Sequence, residues 1–357
     1  MGRELKMDFV FYSIIPLLII MVFLIMIYKC INWVIKLKKG INLFNKGYAD
    51  EAIKILSGNI KSIFSSTKAI GYALRGNCYF QMHKYKDALN DFSESTKLYK
   101  INLNMLLIGT FFCTFKEYDR ALKYILKANE LKPNSSEVYA QLGMVYYQAK
   151  EYDKAIENYN KALKYKGNKR TISNIYASLG AIYIRIKKYD NADKNLSKAF
   201  DIYPKCYGAY VNYAKLLRIK GNVSSAKENV SKAIKLNSYE YSPYRILAEI
   251  NLTEDNYIEF YKNFKIFSEK TIVGIDNEII EDLIFDKVKN DEEFKLLIKK
   301  SKENELTFDD LNVYIDDDAI LSAANKNQKI IIYIIMALTI LLMCIYQICV
   351  NHLKKFI

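Results

Sequence analysis

The side chains able to carry acid–base, nucleophilic or metal chemistry are few in this 357-residue chain, and they stand apart from one another. Its two histidines, His83 and His352, each lack a companion that would make a general base or a metal site. The six cysteines, at positions 30, 78, 113, 206, 344 and 349, show no metal-ligand spacing, and reduced thiols suit a cytoplasmic chain. No glycine loop that could cradle a phosphate is present, and neither is a His-Glu-x-x-His, Gly-x-Ser-x-Gly or Cys-x-x-Cys motif. Asp316, Asp317 and Asp318 have the oxygens for a cation, but they lie in a polar linker that would not fix ligand geometry. The expectation is a protein without catalytic residues, cofactor or metal, and therefore not an enzyme.

What the sequence positions regularly is packing. Ala88, Ala121, Ala155, Ala192 and Ala226 recur at intervals of 33, 34, 37 and 34 residues. Twelve residues before them stand Gly76, Gly109, Gly143, Gly180 and Ala214; three after those stand Tyr79, Phe112, Tyr146, Tyr183 and Leu217. Seven after each alanine come Ser95, Ala128, Ala162, Ala199 and Ala233. Between Asn102 and Ser135 the apolar residues recur at helical spacing through Met105, Ile108 and Phe112, then through Leu122, Ile125 and Leu126. Two amphipathic helices follow, with a turn at Lys116–Asp119, Asp119 as the expected cap of the second helix, and Pro133 as its stop. Small residues are needed where helix axes cross closely, and rings fill the space beside them.

These residues resemble the tetratricopeptide repeat, a helix-turn-helix unit of about 34 residues. The resemblance covers residues 33–268 as about six to seven units. One unit is centred on Gly40, Gly47 and Ala52, and an atypical last unit, 241–268, has Phe260 where the alanine belongs. It implies an all-α, right-handed superhelical solenoid whose concave groove is lined by the first helix of each unit and takes a protein or peptide partner. The groove positions so implied are Asn77, Phe80, Gln81, Gln141, Met144, Tyr147, Gln148, Ser178, Arg185, Asn212, Lys215 and Arg218, with Arg245 beyond them. Amides and aromatics in the middle suit a peptide backbone and its apolar side chains, and the basic end suits an acidic group. The family's carboxylate clamp is not reproduced: Asn77 fits the asparagine place, but Ala73 stands where the clamp needs a lysine.

Two uncharged runs bracket the solenoid. Phe9–Tyr28 and Ile330–Val350 are each long enough to cross a bilayer, so transmembrane helices are expected over 9–29 and 330–350, between short tails at 1–8 and 351–357. No small-x-small cleavage site follows the first run, Lys29 and Tyr28 precede Cys30, and Lys6 occupies the place a myristoylation signal gives to Ser or Thr. With no Pro or Gly between Pro16 and Gly40, the first span is expected to run on as one helix into the first repeat. Lys29, Lys36, Lys38 and Lys39 outnumber Arg3 and Lys6, which puts the solenoid on the cytoplasmic side of a membrane, read as a bacterial plasma membrane.

The net charge of +14 is uneven. Residues 1–274 carry 43 basic and 24 acidic side chains, whereas 275–318 carry 6 and 15. Lysines spread over every second helix read as a solvated face, which disfavours nucleic acid as a partner. The acidic stretch divides into a helical cap at 275–300, with Leu283, Phe285, Val288, Phe294, Leu297 and Ile298 on its apolar face, and a linker at 301–329 expected to be a passive tether. The function these readings support is a membrane-anchored scaffold that recruits a partner through the solenoid groove. The alternative is a structural subunit of a membrane complex whose spans make the key contacts. Oligomeric state and partner identity are not encoded in any of these motifs.

Overall fold

The computed structural model describes residues 15–45, 48–61, 65–98, 102–271, 275, 283–311 and 317–322. The expected second span, both tails, Gly47 and most of 275–282 lie outside these. The described residues form helices and turns and contain no strand. The helices pair in chain order: α1 (Ile15–Asn45) with α2 (Ala49–Asn59), α3 (Ser65–Gln81) with α4 (Tyr85–Leu98), and α5 (Asn102–Thr114) with α6 (Tyr118–Leu131). Next come α7 (Ser136–Gln148) with α8 (Tyr152–Lys164), α9 (Lys169–Arg185) with α10 (Tyr189–Ile202), α11 (Tyr207–Ile219) with α12 (Val223–Leu236), and α13 (Ser242–Thr253) with α14 (Tyr257–Lys270). This is an all-helical solenoid of tandem hairpins.

The residue ladder explains why each hairpin closes. A Cβ on Gly76, Gly109, Gly143 or Gly180 would lie 2.8, 2.6, 2.9 or 2.7 Å from Phe92, Ile125, Tyr159 or Leu196 of the second helix, so only glycine lets the two helices approach this closely. Ala88, Ala121, Ala155, Ala192 and Ala226 are fully buried, as are Ser95, Ala128, Ala162, Ala199 and Ala233 seven residues on. The turn repeats as well. His83, Lys116, Lys150, Lys187, Gly221 and Asp255 all take positive φ, between 55° and 79°, and the amide of the following residue donates back to the carbonyl of Tyr79, Phe112, Tyr146, Tyr183, Leu217 or Asn251. That left-handed residue ends each first helix and reverses the chain. Asp119 does not cap α6: the N-cap is Glu117, with no side-chain cap bond, and Asp119 sits in the first turn, where its charge meets the positive end of the helix dipole.

The first helix is continuous, as its sequence requires. α1 runs for 31 residues, and its C-terminal part joins the first repeat, where buried Gly40 packs on Leu56. Its N-terminal part exposes Leu17, Leu18, Ile20, Phe23 and Leu24. Leu17–Phe44 is the one stretch among the described residues long and apolar enough to cross a membrane, and none of its most apolar window is buried in the fold.

At the other end the atypical Phe260 becomes the centre of an aromatic cluster. It stacks on Phe264 at 5.5 Å, while Phe285 and Phe294 come to 5.7 and 5.0 Å of Phe264. Phe285 comes from a single 3₁₀ turn (Leu283–Lys287) and Phe294 from α15 (Glu292–Glu303), which together cap the last hairpin. Val288, Phe294 and Leu297 are buried as the apolar pattern requires, but Leu283 is exposed, because the 3₁₀ turn points it outward where a longer helix would have turned it in.

The following segment is no passive tether where it is described. Phe308 packs against Phe111, Phe112 and Phe115 of α5, and Leu311 is buried in the same core. The Arg120 guanidinium lies 3.9 Å from the Phe112 ring centroid and 4.6 Å from that of Phe308. Asp317, in the short helix α16 (Asp317–Ser322), accepts from Arg120 Nε at 2.8 Å and from Tyr124 Oη at 2.7 Å. The acidic strap thus returns across the solenoid and binds the α5–α6 hairpin through a cation held between two rings.

Candidate partner-binding interior

The first helices supply the inner wall, and successive hairpins turn far enough that the wall closes on itself. His83, in the turn after α3, bonds through Nδ1 to Tyr85 Oη at 2.9 Å, and its Nε2 lies 3.4 Å from the carbonyl of Tyr239, between α12 and α13. Burial in this contact pushes the imidazole below its ordinary pKa, which favours the neutral ring there. The inner wall therefore bounds a cavity of about 450 Å³.

Five predicted residues from four first helices meet in that cavity: Gln81 (α3), Gln141 and Met144 (α7), Ser178 (α9) and Asn212 (α11). Two are fixed by their neighbours: Thr110 donates to Gln141 Oε1 at 3.1 Å, and Asn212 donates through Nδ2 to the Ala177 carbonyl at 3.1 Å. Each amide keeps its opposite pole for a ligand. Asn77 lies beside Gln81 in a smaller recess of about 230 Å³ bounded by Ile41 and Leu74. The sequence reading missed Arg170, Lys205, Tyr207 and Glu240, which complete the cavity wall. Arg170 lies in the first turn of α9, Tyr207 begins α11, and Lys205 and Glu240 precede α11 and α13. Burial holds the Glu240 carboxyl above the ordinary carboxylate range, against the opposing pull of Lys270.

The basic end of the wall is a separate cluster across three first helices. Glu249 of α13 is buried, with Arg245 Nε 2.7 Å from Oε1 and Arg218 Nε 3.0 Å from Oε2. Burial pushes the Glu249 carboxyl up, but Arg245, Arg218 and Lys215 outweigh it and hold it below the usual range. The reverse applies to Lys215, whose half-buried amine is brought down to about 8 by desolvation and by Arg245, Arg185 and Arg218, against Glu249 alone. Glu249 stands 34 residues after Lys215, so the repeat itself placed it opposite the lysine.

Three predicted wall residues lie elsewhere. Phe80 packs edge-on to Tyr85 at 5.6 Å and tilts against Phe111 at 5.9 Å, so it belongs to the hairpin core. Tyr147 rests against the second helix of its own hairpin, 6.1 Å from the Tyr152 ring, and Gln148 is exposed at the end of α7, where its carbonyl accepts from Tyr118 Oη. Both fall one turn past the cavity because α7 ends there.

Three lysines of the second helices form local pairs. Lys154 meets Glu151, Lys161 meets Glu157, and Lys232 meets Glu228, each one helical turn apart and exposed. Such exposed pairs contribute little to stability. Among the described residues no group of three or more His, Cys, Asp or Glu side chains could hold a metal ion. Cys78 and Cys113 are buried, and burial pushes both thiols up to about 12.

Profiles of the tetratricopeptide repeat match residues 136–168, 173–206 and 207–239. A relative from Clostridium acetobutylicum, the Sol locus transcriptional repressor, is 36% identical over 87% of this chain and 96% of its own length. A shorter similarity, 28% identical over 25% of this chain and 17% of the relative, links it to the BBSome complex member BBS4 of Bos taurus. Among solved structures, the APC/C hetero-tetramer Cut9–Hcn1 superposes with a TM-score of 0.55 at 12% identity, covering 74% of this chain and 55% of that one, a likeness of fold alone.

Proposed function

Because the chain belongs to the tetratricopeptide-repeat family of the Sol locus transcriptional repressor, we propose that it is a non-enzymatic scaffold that captures a protein partner on its inner wall. The observation that carries this is the convergence of Gln81, Gln141, Met144, Ser178 and Asn212 on one cavity. A cavity of about 450 Å³ is too small for a whole helix, whose diameter is about 10–12 Å with side chains, and suits a short extended segment. Amide side chains bind its backbone, and Met144 and Tyr203 pack against its side chains.

The exposed apolar half of α1 supports a membrane anchor joined rigidly to the first repeat. The second apolar run, 330–350, starts only a few residues beyond the docked strap and would give a second attachment. Anchoring raises the effective concentration of partners near the bilayer, so modest contacts suffice. The lysines after the first run favour a cytoplasmic solenoid at a bacterial plasma membrane. The relative's designation as a repressor extends the reading: the captured partner is a regulator of transcription, withheld from its target by capture.

The test is purification of the full chain from native membranes beside a Gln141→Ala, Met144→Ala, Asn212→Ala variant. The reading expects the variant to lose a co-purifying protein that Lys161→Ala retains. Retention of every partner by the cavity variant would refute it, and digestion of the solenoid by protease added outside intact cells would refute the orientation.

A further inference from the structure

One carboxylate on the cavity wall has no counter-ion. Glu240, in the turn between α12 and α13, is half-buried and borders the cavity, yet it makes no hydrogen bond or ion pair among the described residues. Lys270 is the cation that pulls on it, but that amine donates to the Ser238 carbonyl at 3.0 Å and lies 5.7 Å from the Tyr244 ring centroid. On the same wall the Tyr207 hydroxyl is buried with no hydrogen-bond partner among the described residues, although the Ser242 side chain lies near it. Arg170 and Lys205 also border the cavity, but both are exposed and keep their hydration. A carboxylate and a hydroxyl taken out of water without partners destabilise the free fold, unless a bound group supplies the missing contacts.

We propose that this part of the cavity is a binding site for a cationic group, an ammonium or a guanidinium, with Glu240 as its counter-ion and the Tyr207 hydroxyl as a second acceptor. Tyr159, Tyr203 and Tyr239 border the same cavity, and phenol rings attract cations through their electron-rich faces. An anion would meet the unpaired carboxylate, and an apolar group would leave both oxygens without a donor. The site rests on the reading that the cavity holds a short extended segment, and it names one side chain of that segment as lysine or arginine. A free organic amine shares that chemistry.

The stability of the free protein separates a ligand site from a structural one. A carboxylate that holds the fold together weakens it on removal, whereas one that meets its partner only in the complex does not. Glu240→Gln keeps the shape and removes the charge, so it should preserve or raise the urea midpoint of the free protein.

The experiment is calorimetric titration of the full chain, in non-ionic detergent at about pH 7, where lysine and arginine are charged. The probes are acetyl-Gly-Lys-Gly-amide, its arginine, norleucine and glutamate counterparts, and butylamine, at constant ionic strength. The expected result is saturable binding of the lysine or arginine peptide, about tenfold or more tighter than that of the norleucine or glutamate peptide, the scale of one charge-assisted hydrogen bond. Glu240→Gln should abolish that preference and Tyr207→Phe should weaken it severalfold, while Lys161→Ala on the outer face of α8 leaves it unchanged. Tighter binding of the lysine peptide than of butylamine assigns the cation to a partner chain, and equal binding assigns it to a free amine. The proposal is overturned if neither basic peptide binds, if the norleucine or glutamate peptide binds as tightly, or if folded Glu240→Gln keeps the preference. A Glu240→Gln chain that fails to fold, or unfolds at lower urea, would make the residue structural and overturn it too. If the partner still co-purifies in those events and is lost from the cavity variant, the cation site falls and the scaffold reading stands.

Discussion

Replacing Gly109 by alanine tests the closeness of the helix crossings that define this fold. The added Cβ would lie 2.6 Å from Ile125 Cγ1 and 3.2 Å from the Ala121 carbonyl oxygen. Neither can move cheaply, because Ile125 is fully buried and Ala121 O is backbone. Overpacking of this kind costs about 1–3 kcal/mol, against a gain of about 1 kcal/mol from replacing a helical glycine by alanine, so the net expectation is a loss of up to about 2 kcal/mol. Gly58 in α2 has nothing within 4 Å of its virtual Cβ, so there the same substitution should stabilise by about 0.5–1 kcal/mol. Urea unfolding followed by helical circular dichroism on the full chain in detergent would read both shifts. In an Ile125→Ala background the overpacking cost of Gly109→Ala should vanish, giving a coupling of about 1–3 kcal/mol. If Gly109→Ala stabilises as Gly58→Ala does, or its cost persists without Ile125, the close-crossing account is wrong.

The strap depends on Arg120, so Asp317→Ala or Phe308→Ala should release it; hydrogen exchange of residues 305–311 would then accelerate, by a factor corresponding to about 1–3 kcal/mol. Lys187 holds φ at 58°, a conformation costly for a non-glycine residue, so Lys187→Gly should raise the unfolding free energy read from urea titration by about 0.5–1 kcal/mol, while Gly221→Lys should lower it comparably. Two pH effects have opposite signs. Glu249 is held below its ordinary pKa, so the stability it contributes is present above about pH 4.5 and is lost as pH falls through its folded value; Lys215 is held down at about 8, so its burial penalises the fold at and below that pH and is relieved as pH rises toward its unfolded value. Measuring the urea midpoint of wild type and Lys215→Met from about pH 7 to pH 10 should show the difference between them shrinking, and a constant difference would contradict the assignment.

The periodic part of the fold was legible because packing imposes it on residue type. Only glycine fits where α3 meets α4, and that demand returns every 34 residues or so as Gly76, Gly109, Gly143 and Gly180. The left-handed turn residue was harder to see, because four of its six positions are His83, Lys116, Lys150 and Lys187, where composition gives no signal. Contacts set by accumulated rotation could not be read at all. His83 reaches Tyr239, and Arg120 reaches Asp317, only after many hairpins have each added a small turn. Arg170, Lys205, Tyr207 and Glu240 meet at the cavity as well, and local geometry turned Phe80 into the core. Glu249 was missed as well, although its place one period after Lys215 was a signal available in the sequence.

The central claim is that a protein partner is held by the interior of a membrane-tethered solenoid. Its most direct test is photocrosslinking in intact cells, with the photoreactive residue placed in turn at Met144 on the inner wall and at Lys161 on the outer face of α8, followed by membrane fractionation. The account predicts a discrete adduct from position 144, recovered with the membranes and absent from position 161. No adduct from 144, or the same adducts from both positions, would contradict it.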